Sequence, residues 1–188
     1  PGMTSAQLDN LFADVKTWLP DLLNKVVAKQ SQQSLIAPVG PFPTAVQREL
    51  GLETMAQLGF DFTAGRLDIS AHPFCGGVPE DVRITTRYDE NELLSALFGV
   101  IHETGHARYE QNLPRNWSGQ PIALARSTAI HESQSLFFEM QLGRSKAFLT
   151  RLIPAVTRYF GDQAAFEESN FIAWNQQVKP GFIRVDAD

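Results

Sequence analysis

Gly99 to Gln111 read GVIHETGHARYEQ, and the reading of this stretch decides the fold. It sets His102 and His106, two of the chain's four histidines, four residues apart with Glu103 between them. Residues at i and i+4 lie on one helical face about one turn apart, so two imidazoles can point at one ion. Glu103 follows His102 by one residue, about 100° around the helix, where it can flank a metal-activated water without being a ligand. Zinc takes such donors, and in catalytic sites it lowers the pKa of its water to about 7. The glutamate then acts as general base while the water attacks a carbonyl. The competing reading is an amphipathic helix whose exposed face happens to carry two histidines. Against it, Leu93, Leu94, Leu97, Val100 and Ile101 hold the helical period into the motif, and no proline interrupts it before Pro114. Asp89 stands where a cap should begin this helix.

A third protein ligand is needed. TAIHESQSLFFE, Thr128 to Glu139, reads as a further helical segment and offers two. Glu132 lies 26 residues after His106, which leaves room for a loop and a returning helix. Two histidines with a glutamate from a later helix is a zinc-hydrolase ligand set. His131 is the competing donor, and a solvated helix position is the bland reading of Glu132. Glu110, one turn beyond His106, either orients that imidazole or faces water. Between the two helices, PRNWSGQPIA must turn the chain back, and Trp117 either packs on the core, the first expectation, or lines the cleft.

Upstream, Thr4 and Gln7 have capping-box spacing ahead of an apolar helical stripe. Pro20 suits the first turn of a second helical segment. The proline- and glycine-rich SQQSLIAPVGPFP is a linker, and a helix from about Thr44 to Leu58 stops at Gly59. GRLDIS (Gly65 to Ser70) and DVRITTRY (Asp81 to Tyr88) read as strands, with AHPFCGGVPED as a loop between them. Helices are expected from Pro121 to Leu142, Ser145 to Tyr159 and Gln163 to Asn175, with a last short strand at Phe182 to Val185.

The bulk numbers allow one domain: 188 residues, 43% hydrophobic and 20% charged. A net charge of −5 with no basic run argues against nucleic-acid binding. No apolar run approaches the roughly 20 residues that span a bilayer. The one cysteine, Cys75, cannot form an internal disulfide, which fits a reducing, cytoplasmic compartment. Nothing beside it suggests a reactive thiol. The chain opens on proline, so it is expected to be either processed or cut from something longer.

These residues resemble the M32 metallocarboxypeptidases, the carboxypeptidase Taq family. The resemblance rests on HETGH at His102 to His106, HPF at His72 to Phe74, and the Asp-x-Arg-x-Thr core at Asp81, Arg83 and Thr85. It extends to HESQS from His131 and IRVDAD at Ile183 to Asp188. It implies a mainly α fold: a helical zinc-peptidase (gluzincin-like) core with a small β-sheet of about three short strands. It implies His102, His106 and Glu132 as metal ligands, with Glu103 as general base and later acid. The metal is expected to be Zn2+, with Co2+ also competent. Members cleave single residues from peptide C-termini and are typically homodimers, so peptides with a free C-terminus are the expected partners. An exopeptidase of this kind needs a cation for the terminal carboxylate, and arginine's planar fork suits it. Arg184 in the IRVDAD element is the first candidate, and Arg83 the second; either could instead form a surface ion pair. His72 is expected to shape the groove rather than ligate. Members run to around 500 residues, so residues 1–188 are expected to form a single catalytic-core domain, truncated at both ends. The alternative to an active carboxypeptidase is a fragment that binds metal but is catalytically silent.

Overall fold

The computed structural model describes residues 2–179. Arg184 and the strand expected at Phe182 to Val185 lie outside them. The described chain is mainly helical, with one three-stranded sheet.

Helix α1, Ser5–Gln30, starts with the reciprocal cap that its sequence spells: Gln7 N donates to Thr4 Oγ1 at 3.3 Å, and Thr4 N to Gln7 Oε1 at 2.8 Å. The break expected at Pro20 does not occur; the helix runs through it. Proline withholds one intrahelical donor, from the Lys16 carbonyl. No residue of α1 is buried, so water can serve that carbonyl instead. Its apolar side chains, Phe12, Trp18 and Leu22 among them, are exposed. α2, Thr44–Gln57, ends as expected before Gly59, whose φ of +83° favours glycine.

The sheet holds β1 (Gly65–Ile69), β2 (Phe74–Val78) and β3 (Asp81–Thr86), in the order β1-β3-β2. β3 is central, parallel to β1 and antiparallel to β2. β2 occupies what the sequence presents as loop. Its Gly76-Gly77 pair lacks the β-branched residues that announce a strand. Here glycine is needed: Gly77 has φ +119°, and a Cβ on it would sit 2.1 Å from the Asp81 carbonyl oxygen. The sheet therefore has three strands, the third supplied by β2.

Helix α3, Leu93–Gln111, carries the histidine motif through the middle of the molecule. It begins at the Glu92 cap, three residues after Asp89, whose side chain instead turns to the Asn91 N–H. Leu97, Phe98 and Ile101 pack with Leu149, Leu152 and Phe171 from the helices that follow. Val100 and Ala107 pack on Leu67, Val82 and Ile84 of the sheet. Each of the valine, leucine, isoleucine and phenylalanine side chains taken from water contributes about 1.5–3 kcal/mol. Gln111 ties off the end of α3, donating to the Asp61 and Ala64 carbonyls and accepting from Asp61 N.

The chain returns through short turns to α4, Thr128–Leu136, capped by Ser127. Trp117 in that return is 56% exposed, so it is not the core residue expected. α4 runs into a wider, π-helical segment, Phe137–Gly143, before α5 (Lys146–Phe160) and α6 (Glu168–Asn175) close the core. No helix among the described residues is long and apolar enough to cross a membrane.

Candidate metal centre

The centre forms where α4 crosses α3, and Gly105 sets how closely. A Cβ on Gly105 would lie 2.6 Å from Ser135 Cα and 2.7 Å from the Gln134 carbonyl oxygen. Glycine inside a helix costs up to about 1 kcal/mol against alanine, and here it lets two backbones meet. The approach brings Glu132 over the two histidines of α3. His102 Nε2 lies 3.6 Å from Glu132 Oε1, and His106 Nε2 lies 3.4 Å from Glu132 Oε2. One donor atom from each of the three residues falls within 4.8 Å of the others.

These residues fit a divalent cation. Donors bound tetrahedrally at about 2.0–2.2 Å stand about 3.4 Å apart, close to the spacings found. Glu132 Oε1 is buried and accepts no hydrogen bond among the described residues, a costly state for an acceptor that a cation would relieve. Two nitrogens and a carboxylate, with no thiolate, suit zinc or a similar first-row ion.

The nitrogens that face away are held as well. His102 Nδ1 lies 3.0 Å from Glu139 Oε2. Glu139 in turn takes Arg144 Nη2 at 3.3 Å. Arg144 donates through Nη1 to the Asn175 carbonyl at 2.9 Å and lies 4.1 Å over the Phe98 ring. His106 Nδ1 lies 2.6 Å from His131 Nδ1, and His131 Nε2 lies 2.6 Å from Glu110 Oε1.

Charge follows this arrangement. Burial alone would lower the His102 pKa, but the Glu139 hydrogen bond and the Glu103 and Glu132 charges outweigh it, and the shift is upward. For His106 burial dominates, reinforced by the charges of His102 and His131, and the pKa falls to about 4. Burial opposes ionisation of Glu139 too, yet its bond to His102 and the Arg144 charge hold its carboxyl below the usual range. Glu103 is 1% exposed, the next residue after His102 on the same helix.

His131, the competing donor, instead turns its Nδ1 to His106 and is not among the three clustered donors. Glu110 meets His131 rather than His106 itself. His72 is engaged through its carbonyl, which accepts from the Ser70 and Thr85 hydroxyls. Arg83 spends its guanidinium on Asp81, with Nη2 2.7 Å from Oδ2. Burial raises the Cys75 thiol pKa steeply, and the Glu103 and Glu110 carboxylates add to this, as expected of an inert cysteine. Glu139 and Arg144 were not singled out by sequence reasoning. One signal existed: Glu139 stands seven residues after Glu132, two helical turns on, where a regular helix repeats its face.

The family description "Carboxypeptidase Taq (M32) metallopeptidase" matches residues 1–188. Carboxypeptidase 1 of Bacillus subtilis is 41% identical over 192 residues, and thermostable carboxypeptidase 1 of Thermus thermophilus 40% over 189. The alignments cover all of this chain, but only 38% and 37% of those proteins. The solved metallocarboxypeptidase 1 of Trypanosoma cruzi superposes with a TM-score of 0.95 at 53% identity, again over this whole chain and 38% of that one. A Pyrococcus furiosus carboxypeptidase structure superposes at 0.89 with 31% identity. The chain thus spans under two fifths of the length of these relatives, and over all of that span it belongs to the carboxypeptidase Taq (M32) family of metallopeptidases.

Proposed function

We propose that the chain carries the catalytic metal centre of a carboxypeptidase that releases single residues from peptide C-termini. The observation that carries this reading is the convergence of His102, His106 and Glu132, with Glu103 buried on the helix that carries both histidines. The three residues hold a divalent cation, Zn2+ first and Co2+ as a competent substitute. When bound, the ion supplies Lewis-acid polarisation of the scissile carbonyl and acidifies water.

Glu103 takes a proton from the attacking water and later delivers it to the leaving amine nitrogen, so one side chain serves as base and then acid. A carboxylate so deeply buried is expensive to keep, and such groups concentrate where their charge is used. Glu139 and Arg144 fix the ring of His102 from behind. Recognition of the terminal carboxylate falls to an arginine. Arg83 already has a carboxylate partner in Asp81, which leaves Arg184 as the first candidate. The lone Cys75 fits a cytoplasmic setting, and a homodimer is the expected assembly.

A second reading follows from coverage: because the chain spans 38% of its relatives, the centre can bind metal and yet lack groove walls needed for turnover. Release of C-terminal residues by the metal-loaded chain separates the two. Carboxypeptidase action predicts release from a free-acid peptide and a large loss of kcat/KM on its C-terminal amide. No release at full metal occupancy supports the silent reading, and equal cleavage of acid and amide contradicts the exopeptidase assignment.

A further inference from the structure

The two imidazoles of the centre are held by different means. His102 meets a carboxylate directly, through Nδ1 and Glu139. Among the described residues His106 meets no carboxylate at Nδ1; it meets a second imidazole, and that one meets Glu110. The direction of each hydrogen bond can be worked out from the end of this chain. An ionised carboxylate only accepts, so His131 donates from Nε2–H to Glu110 Oε1. In a neutral ring Nδ1 of His131 then carries the lone pair, and His106 donates to it from Nδ1–H. This leaves the lone pair of His106 on Nε2, the nitrogen that faces Glu132 Oε2 at 3.4 Å. Reversing the bond would put the His106 proton on Nε2 and block ligation.

We infer that His131 and Glu110 form a positioning relay that fixes the tautomer and ring plane of His106 for a divalent cation. The inference rests on the metal centre proposed above. Glu110 stands one turn past His106 on α3, and His131 directly precedes Glu132 on α4. Both side chains are about one fifth exposed, enough shielding for the bonds to hold against water. The Tyr109 ring stands edge-on to His131 at 5.1 Å and supports its plane. Neither relay residue reaches the reacting atoms.

The test is zinc affinity of the purified chain, read by chelator competition, with the melting temperature of the metal-free form measured alongside. Glu110→Ala and His131→Asn should each weaken zinc binding by about 10- to 100-fold while the metal-free melting temperature holds. The double variant should be no weaker than His131→Asn alone, because Glu110 acts through His131. Glu110→Gln, whose amide oxygen still accepts from His131, should recover most of the affinity lost in Glu110→Ala. Zinc binding within about twofold of the parent in Glu110→Ala would overturn the relay, as would additive losses or a matching fall in metal-free stability. If His131→Asn does not fold, the Glu110→Ala and Glu110→Gln pair decides alone. A parent chain that binds no zinc strikes the metal centre itself, a different failure from a parent that binds zinc as well as its Glu110→Ala variant.

Discussion

Gly105 of α3 and Ser135 of α4 meet with no room for a side chain between them: a Cβ on the glycine would stand 2.6 Å from the serine Cα. This contact lies between the helix that carries His102 and His106 and the helix that carries Glu132. The obstruction is backbone, which cannot swing aside as a flexible side chain can. Gly105→Ala should therefore push α4 away and cost about 1–3 kcal/mol of stability from overpacking. Metal affinity should fall with it, by at least about tenfold if Glu132 loses its place over the imidazoles. Thermal melts with and without zinc check both. An unchanged affinity would show that the crossing distance does not set the ligand geometry.

On the proposed mechanism Glu103 acts on water and is not a ligand. Glu103→Gln should keep zinc at one ion per chain while hydrolysis falls by about 10²- to 10⁴-fold or more. Metal analysis and C-terminal residue release on the same sample check this together. Activity equal to that of the parent would remove the mechanism, and loss of the metal would move Glu103 into the ligand set.

Glu139 holds His102 from the side opposite Glu132, and Arg144 steadies Glu139. Glu139→Ala should weaken zinc binding by about 10- to 100-fold, and Arg144→Met should do the same to a smaller degree. Chelator competition measures both. A larger effect from Arg144 than from Glu139 would mean that the arginine acts through Asn175 or Phe98, not through the carboxylate.

Away from the centre, Glu53 of α2 receives Arg158 at 2.5 Å and Tyr159 at 3.0 Å from α5. The Arg158 hydrogen bond, with Tyr159 adding to it against the opposing effect of burial, holds the Glu53 carboxyl below its ordinary 4.5. The folded pKa is thus lower than the unfolded one. The contribution is present above about pH 4.5 and is lost as pH falls through the lowered folded value. Glu53→Gln should lower the melting temperature near about pH 7, by an amount that shrinks as pH falls below about 4.5. Equal shifts at both ends would rule out this linkage.

Much of this was legible because α3 announces itself. Its apolar residues keep the helical period on both sides of His102, and i to i+4 spacing is a local property that survives folding intact. Glu132 was harder: 26 residues of intervening chain permit many returns, and only packing at Gly105 shows how α4 comes back. Propensity misled at β2, where a glycine pair is stabilised by pairing with β3, a tertiary effect. It misled again at Pro20, which an exposed helix tolerates. Glu139 left only a weak trace, its place two turns after Glu132. Its segment is π-helical, so the 3.6-residue rule misplaces its face. That His131 turns to His106 while Glu132 faces both imidazoles is a matter of side-chain orientation, which spacing does not encode.

The most direct test is a crystal of the zinc-loaded chain measured on both sides of the zinc absorption edge. The account predicts one anomalous peak, about 2.0–2.2 Å from His102 Nε2, His106 Nε2 and a carboxylate oxygen of Glu132. A fully loaded chain whose peak lies elsewhere, or whose Glu132 stands outside bonding distance of the ion, would contradict it.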